Sequence, residues 1–176
     1  MLEKHIAVML SVFLLCGCGL ANTAEPTPKE NAMATAEALI QATLRLDYEK
    51  IADHTNPAVV KMMGGRKEMI TGMTAMMDDL KEKGMVFVSM TMDKASDPVA
   101  AGDELYIVMT YKAVMTLPKG KLHGKSYLLG ISTDKGKTWT LVDGAAGEEM
   151  IRELLTNLPK ELKLPAEEKM IIKDPE

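Results

Sequence analysis

The sequence predicts an α+β fold in which N-terminal helices pack on one face of a curved antiparallel sheet, with a further helix at the C-terminal end. Three observations carry this. Apolar residues up to Leu80 recur at helical spacing, the period drops to two after Gly84, and Pro118-Lys119-Gly120 and Asp134-Lys135-Gly136 punctuate the later half as turns. With 176 residues, 47% hydrophobic and 26% charged, the chain is expected to build one domain around a real core.

Met33, Ala36, Ile40, Leu44, Tyr48 and Ile51 share one stripe and predict a single long helix from Ala32. Asn56-Pro57 supplies a cap and a first-turn proline for a short helix to about Met63, which Gly64-Gly65 breaks. Met69, Met73, Met76, Met77 and Leu80 make the stripe of a third helix, with Lys81 and Lys83 in its last turn before Gly84. Residues 85–93 alternate, so Val86, Val88, Met90 and Met92 are predicted on one face of a strand and Phe87, Ser89 and Thr91 on the other. Residues 97–103 are turn-rich, with room for a short edge strand. Residues 104–116, 121–133 and 137–143 then read as three hairpin-linked strands, with Leu105, Ile107, Met109, Tyr111 and Met115 facing together. Residues 147–158 are apolar on one side and predict a closing helix stopped by Pro159; the tail 159–176 carries little pattern.

The first residues read as an export signal. Lys4 precedes an apolar run from Ile6 to Leu15 that is too short to span a bilayer. Leu15-Cys16-Gly17-Cys18 resembles the lipobox of bacterial lipoproteins, with leucine at minus three, glycine at minus one and Cys18 as the acylated residue. The resemblance implies a signal peptide over 1–17 and a palmitate-bearing membrane anchor at Cys18. It also implies a place in the bacterial cell envelope, at the outer membrane facing the periplasm, because glycine and not aspartate follows the cysteine. Ordinary secretory cleavage after Ala21 or Ala24 is the alternative. Residues 18–31, rich in small and polar residues and proline, read as a flexible tether, which leaves 32–158 as the folded domain. Both cysteines belong to the anchor region, so no disulfide framework is expected. The net charge of −4, with lysines and acids interspersed, leaves no basic face and excludes nucleic acid as a partner.

The runs "NPAVVKMMGGRKEMI", "AGDELYIVMTYKAVM" and "GKSYLLGISTDKGKTWTLVDG" resemble exported bacterial proteins of the nuclear transport factor 2-like superfamily, whose domains are cone-shaped and α+β. The resemblance covers roughly residues 32–144. Enzymes, binders and transport factors share that fold, so it constrains function weakly. The expectation is a non-enzymatic binding or assembly module that uses the concave sheet face for a small apolar ligand or a protein partner, with a homodimer as an option and no cofactor. The alternative is an isomerase, cyclase or dehydratase. Ketosteroid isomerase-like and SnoaL-like members of the superfamily place an aspartate or histidine and a tyrosine in the cone's apolar pocket, which makes Tyr48, Asp53 and His54 the catalytic candidates, with Tyr111 and Tyr127 behind them. Asp53-His54 equally suits the end of the first helix.

Two further patterns invite chemistry. Sixteen methionines against 4% aromatics suggest thioether copper ligands, with Met73 and Met76 as candidates, although helical spacing explains the stripe as core packing. His54 and His123 lie in separate segments and suggest no zinc site. Ser132-Thr133-Asp134-Lys135-Gly136-Lys137-Thr138-Trp139 resembles the Asp-box of sialidase-type propellers, yet it occurs once in a chain too short for several blades. It therefore predicts a structural turn: Asp134 binding backbone amides, Gly136 at positive φ and Trp139 plugging the core.

Overall fold

Thr27 opens helix α1 (Pro28–Arg45) in the computed structural model, which describes residues 25–166, residue 168 and the backbone of 171–173. The expected signal peptide, Cys18 and most of the tether lie outside the described residues. The Thr27 hydroxyl accepts the Glu30 N–H at 3.2 Å and the Glu30 carboxylate accepts the Thr27 N–H at 2.7 Å, a capping box with proline in the first turn. Residues 28–31, expected in the tether, are thus helical.

The long helix expected from Ala32 to Ile51 is two helices. Leu46 turns left-handed at φ 56°, and the Asp47 side chain accepts the Lys50 N–H to cap α2 (Tyr48–His54). Apolar spacing runs unbroken through this point, so periodicity misses a break made by one aspartate competing for backbone. Helix α3 (Pro57–Met62) follows, with the Asn56 side chain accepting the Ala58 N–H at 2.9 Å. Gly64 and Gly65, both at positive φ, then turn the chain into α4 (Arg66–Glu82).

The sheet contains β1 (Val86–Ala95), β2 (Val99–Ala101), β3 (Glu104–Leu117), β4 (Gly120–Ser132), β5 (Thr140–Asp143) and β6 (Ile171–Lys173). Its path is β1-β3-β4-β5, antiparallel throughout, with β2 on the start of β3 and β6 on the start of β4. The class is α+β, with helices first and an open antiparallel sheet after them. Two details correct the expected pattern. Register shifts between Phe87 and Ser89 bulge β1 at Val88, so Phe87 joins Met90 and Met92 against the core while Val86 and Val88 are exposed. Strand β5 is also shorter than 137–143, because the Lys137 and Thr138 N–H groups donate to Asp134.

Both faces of the sheet are covered. On one, Ile107, Met109 and Tyr111 of β3 meet Ala32, Ala36 and Ile40 of α1, with Trp139 alongside. On the other, Tyr106 and Val108 of β3 and Tyr127 and Leu129 of β4 meet Ile151, Leu158 and Leu162. The closing helix α5 (Glu148–Leu154) is preceded by a 3-10 turn (Gly144–Ala146) and ends before the expected Leu158. Helices therefore do not all sit on one face. Arg152 of α5 draws the following segment in, donating to the carbonyls of Pro159 at 3.2 Å and Leu162 at 2.9 Å. The region expected to be a patternless tail thus contributes Leu162 to the second core and β6 to the sheet.

Candidate functional site

Between α1, α4 and the first face of the sheet lies a cavity of about 290 Å³. Its wall is a consequence of the helical stripe on α4: Met69, Met73, Met76 and Met77 all reach it, joined by Met90 of β1. Leu128, Leu141 and Val142 line it from the sheet. The volume is near the lower end for small-molecule sites, and the lining is mostly apolar with few polar groups, as such sites usually are.

Three polar side chains meet at one end. Tyr111 of β3 stands opposite Ser126 of β4, and Leu128 of β4 stands opposite Asp143 of β5. Residues directly opposite share a face, so strand register brings Tyr111, Ser126 and Asp143 together although they are distant in sequence. The Tyr111 hydroxyl donates to Asp143 Oδ2 at 3.1 Å and lies 3.3 Å from Oδ1. The Ala145 N–H donates to Oδ1 at 2.9 Å, and the Ser126 hydroxyl reaches it at 3.5 Å. Asp143 thereby also caps the 3-10 turn.

Burial pushes the Asp143 carboxyl above its ordinary pKa, against the Ala145 N–H, Tyr111 and Ser126, whose hydrogen bonds pull it down. The crowding is one-sided. Asp143 keeps a substantial water-accessible surface, which limits the rise, and a backbone N–H donor recognises only an acceptor, which favours the carboxylate. Burial, and then the charge of Asp143, raises the Tyr111 phenol, so Tyr111 holds its proton and donates it. The arrangement can bind and orient a polar atom at the end of an apolar slot.

The residues singled out from sequence fall in four places. Tyr48 borders the cavity half-buried, its phenol raised by burial and then by the charge of Asp78. Asp53 is on the outer surface, paired with Arg66 at 2.8 Å, and Arg66 also holds Glu49 at 2.7 Å, so this cluster fastens α4 to α2. His54 ends α2 half-buried and is not among the cavity-lining residues. Met73 and Met76 both lie on the cavity wall, with Met76 largely exposed at its edge; no His or Cys lines the cavity beside them. Among the described residues, no three His, Cys, Asp or Glu side chains are grouped to hold a metal ion. Tyr127 is buried on the opposite sheet face, in the second core.

The turn at Ser132 has the geometry of a structural element. Asp134 accepts the Lys137 N–H at 3.0 Å, the Thr138 N–H at 2.9 Å and the Thr138 hydroxyl at 2.7 Å, and these bonds hold its carboxyl down to about 2. Gly136 has φ 84° and Trp139, buried in the first core, donates its ring N–H to the Gly136 carbonyl at 3.1 Å. Sequence reasoning named Tyr111 but missed Asp143 and Ser126. A signal for Asp143 existed: aspartate before Gly144-Ala145 at a strand end is an Asx-turn pattern. Its partnership with Tyr111 depends on the β3-β4-β5 register, which no local pattern encodes.

No protein-family model matches the chain, and no curated protein matches it. Its function must be argued from the cavity. Among the described residues no helix is long and apolar enough to cross a membrane.

Proposed function

We propose that this protein is a lipid-anchored component of the bacterial cell envelope whose folded part, a domain of the nuclear transport factor 2-like kind, binds a small and mostly apolar molecule without transforming it. One observation carries the binding role: a hydrogen-bonded pair, Tyr111 and Asp143, faces a cavity whose lining is mostly apolar and dominated by Met, Leu, Ile and Val. Apolar walls supply affinity and the pair supplies orientation. Thioethers on α4 suit such a role because unbranched, polarisable side chains repack around varied shapes. The anchor rests on the Leu15-to-Cys18 pattern, which leaves the binding domain tethered at Cys18 in the periplasm.

An isomerase, cyclase or dehydratase is the second reading, favoured by the burial-raised carboxyl of Asp143 inside a cavity. In that reading Asp143 takes the role first given to Asp53 or His54, and Tyr111 that first given to Tyr48. Binding is preferred because three donors already serve the Asp143 carboxylate, which weakens it as a base. The test is methionine-methyl NMR of the protein with naphthalene as probe. Shifts confined to Met69, Met73, Met76, Met77 and Met90, and abolished by filling the cavity with Met73→Trp, are expected; shifts scattered over the surface, or none, would refute the cavity as a site. For the anchor, mass spectrometry of the mature N-terminus should find an acylated Cys18, and an unmodified chain beginning at Asn22 or Glu25 would refute it.

A further inference from the structure

Accepting the cavity as a binding site, we infer the chemical class of its ligand: an apolar body carrying a cationic or hydrogen-bond-donating end, and not a carboxylate or phosphate. The inference comes from counting protons on the cavity's own polar groups. Thr43 donates its hydroxyl to the Leu39 carbonyl at 2.9 Å, and Thr55 donates to the Ile51 carbonyl at 2.7 Å. Tyr111 donates to Asp143. Among the described residues, three of the four hydroxyl protons on the lining are therefore committed within the protein, and Tyr48 is left to donate. The oxygens retain lone pairs. Asp143 Oδ2 accepts only from Tyr111, so it has capacity for a further donor. The cavity is thus rich in acceptors and poor in donors.

Charge points the same way. Among the described residues, Asp143 is the one charged side chain on the lining, and no Lys, Arg or His borders the cavity. Asp78 of α4 is close enough to Tyr48 to act on its phenol, which adds negative potential on that side. An anion entering would meet the Asp143 carboxylate with no cationic side chain on the described lining to offset the repulsion. A cation would meet that carboxylate, the aromatic side chains of Tyr48 and Phe87, and polarisable methionine side chains. A cavity of about 290 Å³ limits the body to one or two rings or a short branched chain. Small aromatic or aliphatic amines and alcohols fit this description.

Four probes with one body separate the possibilities: 1-naphthylmethylammonium, 2-naphthol, naphthalene and 2-naphthoate. They are titrated calorimetrically into the full chain carrying Cys18→Ala, which removes any acyl chain. The ammonium should bind tightest, about tenfold or more over naphthalene, as one charge-assisted hydrogen bond implies. The naphthol should fall between them and the naphthoate should be weakest. Asp143→Asn should bring the ammonium to within about threefold of the naphthol, because the charge component is gone. Naphthoate binding as tightly as the ammonium, or an advantage of the ammonium over the naphthol that Asp143→Asn does not reduce, would overturn the ligand class while leaving the cavity a binding site. Failure of all four to bind would remove the cavity reading itself. Should the Asn variant not fold, the ranking on the chain with its native aspartate decides alone.

Discussion

Asp134 and Asp143 flank the same short strand and have opposite fates. Asp134 is ringed by backbone and hydroxyl donors, and its carboxyl is held down to about 2 chiefly by the Thr138 N–H. Asp143 is crowded by protein on one side, is served by fewer and longer bonds, and is pushed up by burial. The difference separates a carboxylate that builds structure from one with capacity left over. Saturated acids lock a turn; an under-served acid beside empty space is available to something else.

The comparison can be broken at its rigid end first. Gly136→Val should cause the largest loss, about 3 kcal/mol, because a β-branched residue is strained at positive φ and its Cβ would press into the Pro28 ring, whose Cγ would lie 2.9 Å away. Denaturant unfolding measures it, and a fully stable variant would show that the turn is not rigid. Ser132→Ala comes next, at about 2 kcal/mol, since the buried hydroxyl accepts the Gly136 N–H at 2.9 Å and donates to Asp134 at 2.8 Å. Tyr111→Phe should cost about 1 kcal/mol, the worth of one partly buried hydrogen bond.

The smallest and most telling effects are those of pH. Asp134 has a lowered folded pKa, so the stability it contributes is present above about pH 4, the unfolded value, and is lost as pH falls towards about 2. Asp143 has a raised folded pKa, so its contribution is present at acid pH, below the unfolded value, and is lost as pH rises through the folded one. Consequently Asp143→Asn should leave the melting temperature at pH 7 unchanged or higher, whereas Asp134→Asn should lower it. A Tm that falls equally in both variants would erase the distinction drawn between the two residues.

How much of this could be read from the sequence follows the range of the forces involved. Local signals sufficed for the Asn56-Pro57 cap, the Gly64-Gly65 break, the switch of period at Gly84 and the turn at Asp134. They failed where one residue overrides a continuing pattern, as Asp47 does within the first helical stripe and Val88 does by bulging β1. The Met69, Met73, Met76 and Met77 stripe was legible as apolar, but its role as a cavity wall needed the sheet opposite it. The same holds for Tyr111: its face was predictable, its partner was not, because Asp143 arrives by way of two strand pairings. Leu162 and β6 were invisible, since Leu162 finds its partners only across the finished second face and β6 pairs with a strand some fifty residues earlier in the chain, about which no local pattern speaks.

The start of α1 is tied to the rest of the domain at three points within its first turn. Asn31 donates its side-chain amide to the Gly136 carbonyl at 2.9 Å, Lys29 pairs with Asp97 at 3.0 Å, and Pro28 lies against Gly136. A tug on the chain ahead of Thr27 therefore meets the Ser132-to-Trp139 turn and Asp97 before it reaches Leu39 and Ile40 at the cavity. The fastenings of the leading end are thus separate from the residues that line the cavity.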